Sequence, residues 1–558
     1  MKKQLSTFFR PQVLEAMAEK QYDLIVIGGG ITGVGIALDA ATRGLSCLLL
    51  EMQDFGAGTS SRSTKLIHGG LRYLKQLEVR LVREVGRERT ILHQNASHLV
   101  VPRPMLLPII EHGSLGKYST SLGLFVYDLL AGVAPNEKRS MHETETILNM
   151  EPLLRIDIVE GGGLYYEYQT DDSRLVIEVL KTAVEYGADA LNYAKVVDLV
   201  YENEKVVGVN FLDSLAKKRY SVRGKQIVNA TGPWVDSLRK KDNSMNDKRL
   251  HLTKGVHIVV DYQRLPLQQA AYFDVPDGRM MFAIPKNDIT YIGTTDTNFT
   301  KNPKRPQADL GDVNYILEGV NQVFPTVKLQ LDDVRSSWAG VRPLIHQAGK
   351  SPSELSRKDE IFYAPSGLIS IAGGKLTGFR KMAERTVDVV VKELYKKEKR
   401  PIKNCKTAKI KLSGGHFKQP DDISDYILQL TEEAIGTGLT EKEIEKLVYK
   451  YGSNTPIILD ILEADMRHKL PIRQKILFAE LQYAVNYEMV CTLSDFAIRR
   501  TGRLYFERDE LDDIYFDILD ELERLLKLSK QVKLAQLNEF EIEFEAVVAF
   551  KKTLTLQK

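Results

Sequence analysis

The chain has 558 residues, of which 43% are hydrophobic and 27% charged, a composition typical of a globular protein with a large core. Its 77 basic and 74 acidic residues nearly balance, which gives no case for a nucleic-acid-binding protein. The three cysteines are far apart and form no CxxC, so we expect no disulfide framework and no metal site, and a reducing cytoplasm fits. No apolar run reaches the roughly 18 residues of a membrane span.

The N-terminal part has the pattern of a β-α-β unit. Residues 23–28 form a short run of apolar and β-branched residues that predicts a buried strand. Small and apolar residues follow at helical spacing up to Gly44, and residues 45–51 predict a second buried strand. Further along, the patterns of residues 76–98 and 174–187 predict amphipathic helices.

The predicted secondary structure changes twice in the second half of the chain. Residues 250–345 alternate apolar runs with polar turns and predict a β-rich region. A buried strand is expected at 366–374, followed by a long helix, and the basic stretch 396–409 reads as a linker. From there to about residue 550 the charged helical periodicity predicts an all-α region.

A glycine motif lies between the first strand and the first helix. Gly28 would permit the tight turn, Gly30 the approach of a pyrophosphate to the helix N-terminus, and Gly33 close packing of helix on strand. Glu51 ends the second strand, where its carboxylate can accept hydrogen bonds from ribose hydroxyls. The whole context predicts a dinucleotide site with a free ribose 2′-hydroxyl.

The choice between NAD and FAD depends on the segments beyond the second strand. A polar, glycine-rich segment comes directly after that strand and is too long for a simple βα turn. Two later strands end at Ala230-Thr231-Gly232 and at Gly373-Gly374. Several distant segments therefore converge on one extended ligand, which favours FAD.

The motifs DLIVIGGGITGVGIALDAATRGLSCLLLE, TSSRSTKLIHGGLRYL, NATGPWV, IGTTD, GVRPL and GGKLTGFRK occur in this order. Together they resemble the FAD-dependent glycerol-3-phosphate dehydrogenase family of the aerobic, respiratory type. The resemblance implies oxidation of sn-glycerol 3-phosphate to dihydroxyacetone phosphate, with electrons passed from FAD to the quinone pool. It also implies peripheral contact with the cytoplasmic face of the membrane and a homodimer. The rivals are a glycerol-3-phosphate oxidase that uses oxygen, another flavin oxidoreductase, and a flavin-binding regulatory protein.

The resemblance also implies site residues. The expected catalytic residues are His68, Arg342 and His257; either histidine could be the base, and an arginine-assisted mechanism without a histidine stays open. The expected substrate contacts are Arg72, Tyr73, Arg357, Lys375 and Lys254, of which the arginines and lysines are cations that match phosphate oxygens. The expected cofactor contacts are Gly28, Gly30, Gly33, Glu51, Thr59, Ser60, Ser61, Lys65, His68, Gly69, Ala230, Gly232, Gly374, Lys375, Leu376 and Thr377.

Three further groups receive structural interpretations. Thr295 and Asp296 are expected to shape a turn near the site. Asp171 and Asp172 are interpreted as acids at a helix N-terminus, stabilised by its dipole. His93 and His98 are five residues apart and do not share a helix face, which makes them poor metal ligands.

The expected fold is α/β, a Rossmann-like FAD-binding domain with an antiparallel-sheet substrate domain and an all-α C-terminal domain. The oxidoreductase region would span 20–400. Its FAD-binding segments are placed at about 20–90, 150–245 and 345–400, its substrate-capping segments at about 90–150 and 245–345, and the helical domain at 405–558.

Overall fold

The computed structural model describes residues 3–68, 78–111, 113, 116, 120–121, 123–126, 137–346, 359–399, 401–465 and 470–552. Gly69, Arg72, Tyr73 and Arg357, which the sequence assigns to the site, lie outside the described residues.

The strands in chain order are β1 (Gln21–Ile27), β2 (Cys47–Leu50), β3 (Leu66–Ile67), β4 (Val101–Ile110), β5 (Ser140–His142), β6 (Val159–Gln169), β7 (Asp189–Leu191), β8 (Ala194–Glu202), β9 (Lys205–Asp213), β10 (Lys218–Asn229), β11 (Leu250–Asp261), β12 (Ala270–Asp274), β13 (Met280–Lys286), β14 (Ile289–Gly293), β15 (Thr297–Asn298), β16 (Val334–Ile345), β17 (Glu360–Tyr363) and β18 (Ile369–Ala372). The α-helices are α1 (Arg10–Ala18), α2 (Ile31–Thr42), α3 (Val79–Asn95), α4 (Thr144–Met150), α5 (Asp172–Glu185), α6 (Val235–Lys241), α7 (Leu310–Val323), α8 (Phe379–Glu398), α9 (Asp422–Glu433), α10 (Glu441–Tyr451), α11 (Thr455–Ala464), α12 (Ile472–Tyr487), α13 (Arg503–Phe506), α14 (Arg508–Leu526) and α15 (Lys530–Ala546).

The first sheet carries the predicted β-α-β unit. Its main path is β17-β18-β10-β1-β2-β7, and β18, β10, β1, β2 and β7 run parallel. Strands of this kind are apolar on both sides because both faces of the sheet are covered. On one face Val26 packs with Ile36, Leu180 and Val387 from α2, α5 and α8. The parallel strands therefore end together, beside the glycine loop.

The second sheet is antiparallel apart from the β4–β12 pair, and β11 pairs with β16 along almost its whole length. Helix α7, which the sequence patterns did not indicate, packs Ile316 and Val320 under this sheet. Strand β6 also lies in this sheet, although it falls within the segment 150–245 assigned to FAD binding. Strand β6 belongs to the second sheet because it pairs with β4. The exact division into domains stays a prediction.

The C-terminal region is helical, as the periodicity predicts. The acidic helix α14 buries Leu511, Ile518 and Leu522, which confirms that its apolar stripe serves packing. Among the described residues, no helix is both long enough and apolar enough to cross a membrane.

A buried cluster of charges joins this helical region to the loop after β2. Asp54 accepts hydrogen bonds from Arg500 Nη1 at 2.7 Å and Arg500 Nη2 at 3.0 Å, and from Arg499 Nε at 2.6 Å. Arg500 also donates to the carbonyl of Glu488 at 2.8 Å. Burial alone would raise the pKa of Asp54, but the charges of Arg500 and Arg499 outweigh it and lower that pKa to about 2. Asp495 accepts from Arg499 Nη2 at 2.8 Å, so the buried positive and negative charges of the cluster compensate one another.

Breaking this cluster should destabilise the whole protein. Arg500→Met would leave the Asp54 carboxylate buried with part of its compensation gone, and we expect a loss of about 3–5 kcal/mol in the free energy of unfolding. Urea unfolding measures it. The control is Arg223→Met, because Arg223 pairs with Glu202 where their side chains are 50% and 54% exposed; its cost should stay below about 1 kcal/mol. Equal costs for the two variants would contradict the cluster's importance.

Candidate active site

A cavity of about 470 Å³ is lined by residues of both sheets. The first sheet contributes the glycine loop and Glu51, and the second contributes His257 and Arg342. The predicted contacts in its wall are Gly28, Gly30, Glu51, Thr59, Ser60, His68, Ala230, Gly232, His257, Arg342, Gly374, Lys375, Leu376 and Thr377. Residues from several separate parts of the chain thus converge on one site, as the choice of FAD requires.

The glycine loop leaves no room for side chains. Gly28 has φ +110°, and a Cβ there would lie 2.5 Å from the carbonyl oxygen of Ala230. A Cβ on Gly33 would lie 1.8 Å from the carbonyl oxygen of Gly28, so Gly33 supports the loop from behind rather than lining the cavity. Gly30 is the N-cap of α2, whose N-terminus favours an anion such as a pyrophosphate.

Glu51 is held at the end of β2 by backbone donors. Its Oε2 accepts from Gly29 N at 2.7 Å and its Oε1 from Gln53 N at 2.8 Å. Burial raises the pKa of this carboxyl, and the two backbone hydrogen bonds partly offset the rise. A carboxylate oriented in this way, beside a bare glycine loop, fits the ribose and pyrophosphate of FAD.

Arg342 projects from β16 over the bare backbone of Gly255. Its Nη1 donates to the carbonyl of Thr295 at 3.1 Å and to Asp296 Oδ1 at 3.2 Å, and its Nη2 donates to Thr294 Oγ1 at 3.0 Å. A Cβ on Gly255 would lie only 2.2 Å from Nη2. The Thr294–Asp296 turn therefore orients the guanidinium group, in line with the prediction that Thr295 and Asp296 shape a turn.

His257 is fixed in the wall formed by β11. Its ring stacks on Trp338, with centroids 4.9 Å apart and planes 9° from parallel. On β14, a Cβ at Gly293 would come within 2.2 Å of the ring. Burial, and then the charges of Arg342 and Lys65, hold the pKa of His257 well below its usual range, so the ring is neutral.

His68 occupies a more open position. It is only half-buried, and its ring contacts the edge of Phe282 at 6.2 Å between centroids. Its backbone N donates to Thr377 Oγ1 at 3.2 Å, which ties it to the loop carrying Lys375. The described histidines of the cavity wall thus differ sharply in exposure.

Besides Gly33, three predicted contacts within the described residues do not line the cavity. Lys65 is buried, and its Nζ donates to Asp172 Oδ1 at 2.5 Å and to the carbonyl of Ser61 at 3.3 Å. Lys254 makes ion pairs with Asp309 at 2.7 Å and Asp312 at 2.5 Å. Ser61, Lys65 and Lys254 do not line the cavity. The two lysines are held away from it by ion pairs with acids far along the chain.

Both acids lie at the N-terminus of α5, as interpreted from the sequence, but Asp172 also has partners outside the helix. Asp171 is the N-cap of α5 and accepts from Arg174 N at 3.0 Å, as expected. Asp172 instead accepts from the backbone N and hydroxyl of Ser63 at 2.9 and 2.7 Å, and from Lys65.

Further residues of the cavity wall were not predicted from the sequence, among them Thr64, Tyr165, Gly255, Tyr272, Phe282 and Thr294. For Thr64, its place in the quoted TSSRSTKLIHGG motif was the available signal.

The fold and the cavity define a flavin-dependent oxidoreductase, and comparisons with known proteins agree. The family of FAD dependent oxidoreductases matches residues 23–383, and the C-terminal domain of alpha-glycerophosphate oxidase matches residues 405–533. An aerobic glycerol-3-phosphate dehydrogenase of Bacillus subtilis is 50% identical over 535 residues, covering 96% of each chain. One from Staphylococcus aureus is 46% identical over 92% of this chain and 94% of its own length.

Solved structures point the same way. The glycerol-3-phosphate dehydrogenase of Bacillus halodurans, complexed with FAD, is 42% identical, has a TM-score of 0.83 and covers 97% of this chain and 98% of its own. An L-alpha-glycerophosphate oxidase from Mycoplasma pneumoniae, 15% identical with a TM-score of 0.54 over 69% of this chain and 97% of its own, shares the fold alone. The chain belongs to the FAD dependent oxidoreductases and, within them, to the aerobic glycerol-3-phosphate dehydrogenase family. FAD is confirmed as its cofactor.

The orientation of the Arg342 guanidinium group can be tested without substituting Arg342 itself. Gly255→Ala should push the guanidinium group away from the cavity, since the colliding atoms are the far end of a flexible side chain. We expect FAD content to be retained and kcat/KM to fall at least about tenfold, as for loss of one charge-assisted hydrogen bond. The control is Gly311→Ala, where the nearest atom to the new Cβ is 3.3 Å away. Unchanged kcat/KM in Gly255→Ala would contradict the assignment.

Proposed function

We propose that the chain oxidises sn-glycerol 3-phosphate to dihydroxyacetone phosphate and passes the electrons to a quinone. The observation that carries the proposal is the fixed guanidinium of Arg342 in a cavity that also presents two histidines. The full-length relatives named aerobic glycerol-3-phosphate dehydrogenase support it. When bound, FAD supplies the acceptor for the hydride that leaves C2.

Arg342 binds the anionic end of the substrate. Its fork of N–H donors matches phosphate oxygens, and its partners Thr294 and Asp296 keep it in one orientation. Lys375 lines the same cavity and adds a second cation. Arg72, Tyr73 and Arg357, expected to complete the phosphate site, lie outside the described residues.

His68 takes the proton of the C2 hydroxyl. A base must exchange protons with the substrate and carry the resulting charge, which a half-buried imidazole does at lower cost than a buried one. His257 is 1% exposed, and its pKa is lowered by burial and by the charges of Arg342 and Lys65. His257 is therefore poorly suited to take up a proton.

Anaerobic mixing tests the reaction directly. The yellow holoprotein should lose its flavin absorbance on addition of glycerol 3-phosphate and keep it on addition of glycerol, because glycerol lacks the anion that Arg342 binds. In Arg342→Met the substrate concentration needed for half-maximal bleaching should rise at least about tenfold. Equal bleaching by glycerol, or an unshifted Arg342→Met, would contradict the proposed substrate recognition.

The acceptor needs its own experiment. With a quinone analogue the enzyme should turn over steadily under nitrogen, and under air without quinone it should produce little hydrogen peroxide. Peroxide formed at the quinone rate would instead identify the oxidase, the alternative that the sequence left open.

A quinone acceptor places the enzyme at the cytoplasmic face of the membrane, attached peripherally. The N-terminal segment offers a contact, since Phe8 and Phe9 are 48% and 47% exposed. Phe8→Ser/Phe9→Ser should weaken co-sedimentation with lipid vesicles several-fold and leave bleaching unchanged. The control is Phe516→Ser, a phenylalanine that is 51% exposed on the acidic helix α14. Equal co-sedimentation of both variants with the vesicles would exclude the N-terminal contact.

The homodimer stays a prediction of the resemblance.

A further inference from the structure

Thr64 lies in the cavity wall beside His257, and the proposed reaction assigns it no task. Its Oγ1 is 3.0 Å from Nε2 of His257. Within the described residues the Thr64 hydroxyl has this one polar partner. A threonine hydroxyl offers one donor and two acceptor positions, so it can serve His257 and a ligand together.

The proton on the imidazole can be assigned from its surroundings. Nδ1 of His257 is buried and has no hydrogen-bond partner among the described residues, whereas Nε2 faces Thr64. An N–H buried without an acceptor is costly and rare. The neutral ring therefore carries its proton on Nε2 and donates it to Thr64 Oγ1. The hydroxyl hydrogen of Thr64 is left to donate into the cavity.

Thr64 itself is fixed from both sides. Before it, Ser63 donates through its backbone N and its hydroxyl to Asp172, and its carbonyl accepts from Trp338 Nε1 at 3.1 Å. After it, Lys65 is held by its buried ion pair with Asp172, and its backbone has φ +57°. The predicted cofactor contact Lys65 thus acts on the position of Thr64.

The site's spacing indicates which ligand atom Thr64 meets. Gly255 lies beneath the Arg342 guanidinium and His257 beneath Thr64, two residues apart along β11. That spacing is about 7 Å, a distance that a phosphate-bearing three-carbon chain can bridge. If the phosphate binds at Arg342, the C2 oxygen of the substrate lies near the Thr64 hydroxyl.

We propose that the hydroxyl of Thr64, oriented by His257, donates a hydrogen bond to the C2 oxygen of the substrate. This inference rests on the proposed oxidation of glycerol 3-phosphate. As the C2 hydroxyl gives its proton to His68 and negative charge grows on the oxygen, this hydrogen bond strengthens. Thr64 thereby becomes a catalytic residue and His257 a positioning residue.

The test uses a pair of substitutions that differ in one hydroxyl. Thr64→Val keeps the shape and removes the donor, whereas Thr64→Ser keeps the donor. In the full-length holoenzyme, the rate of flavin bleaching at saturating substrate should fall about 100-fold in Thr64→Val and stay within about fivefold of wild type in Thr64→Ser. The control Thr431→Val removes a hydroxyl that bonds a carbonyl of its own helix, α9, at 2.8 Å, and should leave the rate unchanged.

The outcomes separate cleanly. Unchanged bleaching in Thr64→Val, or equal losses in the valine and serine variants, would overturn the proposal. FAD content, flavin absorbance and melting temperature of each variant are measured alongside, and selective loss of FAD from Thr64→Val would overturn the assignment to the substrate oxygen. If wild type itself does not bleach with glycerol 3-phosphate, the proposed substrate fails. In that case each variant is titrated with dihydroxyacetone phosphate, and binding is followed by the change in the flavin spectrum. A comparison of the affinities then shows whether the Thr64 hydroxyl contributes to binding a three-carbon phosphate.

Discussion

The ion pair between Lys65 and Asp172 holds the two halves of the cavity together. Asp172 begins α5, which packs against the first sheet, while Lys65 directly precedes β3 at the edge of the second sheet. Both side chains are almost fully buried, at 3% and 0% exposure. A buried pair of this kind cannot lose one member cheaply, because the other charge would remain without water or partner. Ser63 and Lys65, the residues on either side of Thr64, both bond to Asp172 and so share this anchor.

The free-energy cost of burying an unpaired charge also ties the helical C-terminal region to the loop after β2. Arg499 and Arg500 come from its π-helical turn, yet their main acceptor is Asp54, three residues after the cofactor acid Glu51. The loop after β2 could not carry a buried aspartate without them. The helical C-terminal domain therefore contributes buried charges to the cofactor-binding part of the chain.

How far the sequence predicts this site depends on how local each feature is. The glycine loop and Glu51 were predictable because their geometry is set within one β-α-β unit. Gly255 was not, because its role follows from the pairing of β11 with β16, which sets Gly255 opposite Gly340 and diagonally under the Arg342 side chain. The resemblance assigned Lys65 to the cofactor, but its ion pair with Asp172 could not be foreseen, because Asp172 lies 107 positions away. Pairing between distant strands and helices was the information that sequence patterns lacked.

The two histidines show how one residue type takes on two tasks in the same cavity. His257 faces Trp338 and Gly293 in a rigid strand environment, so its ring cannot move or gain charge at low cost. Such a ring is suited to hold a neighbour in place, which is what its hydrogen bond to Thr64 does. His68 is attached to the wall through its backbone and leaves its ring less enclosed, so a proton can be taken up and returned. In the proposed reaction the two roles follow from burial: the deeper imidazole would supply a fixed dipole, and the shallower one would change its charge during turnover.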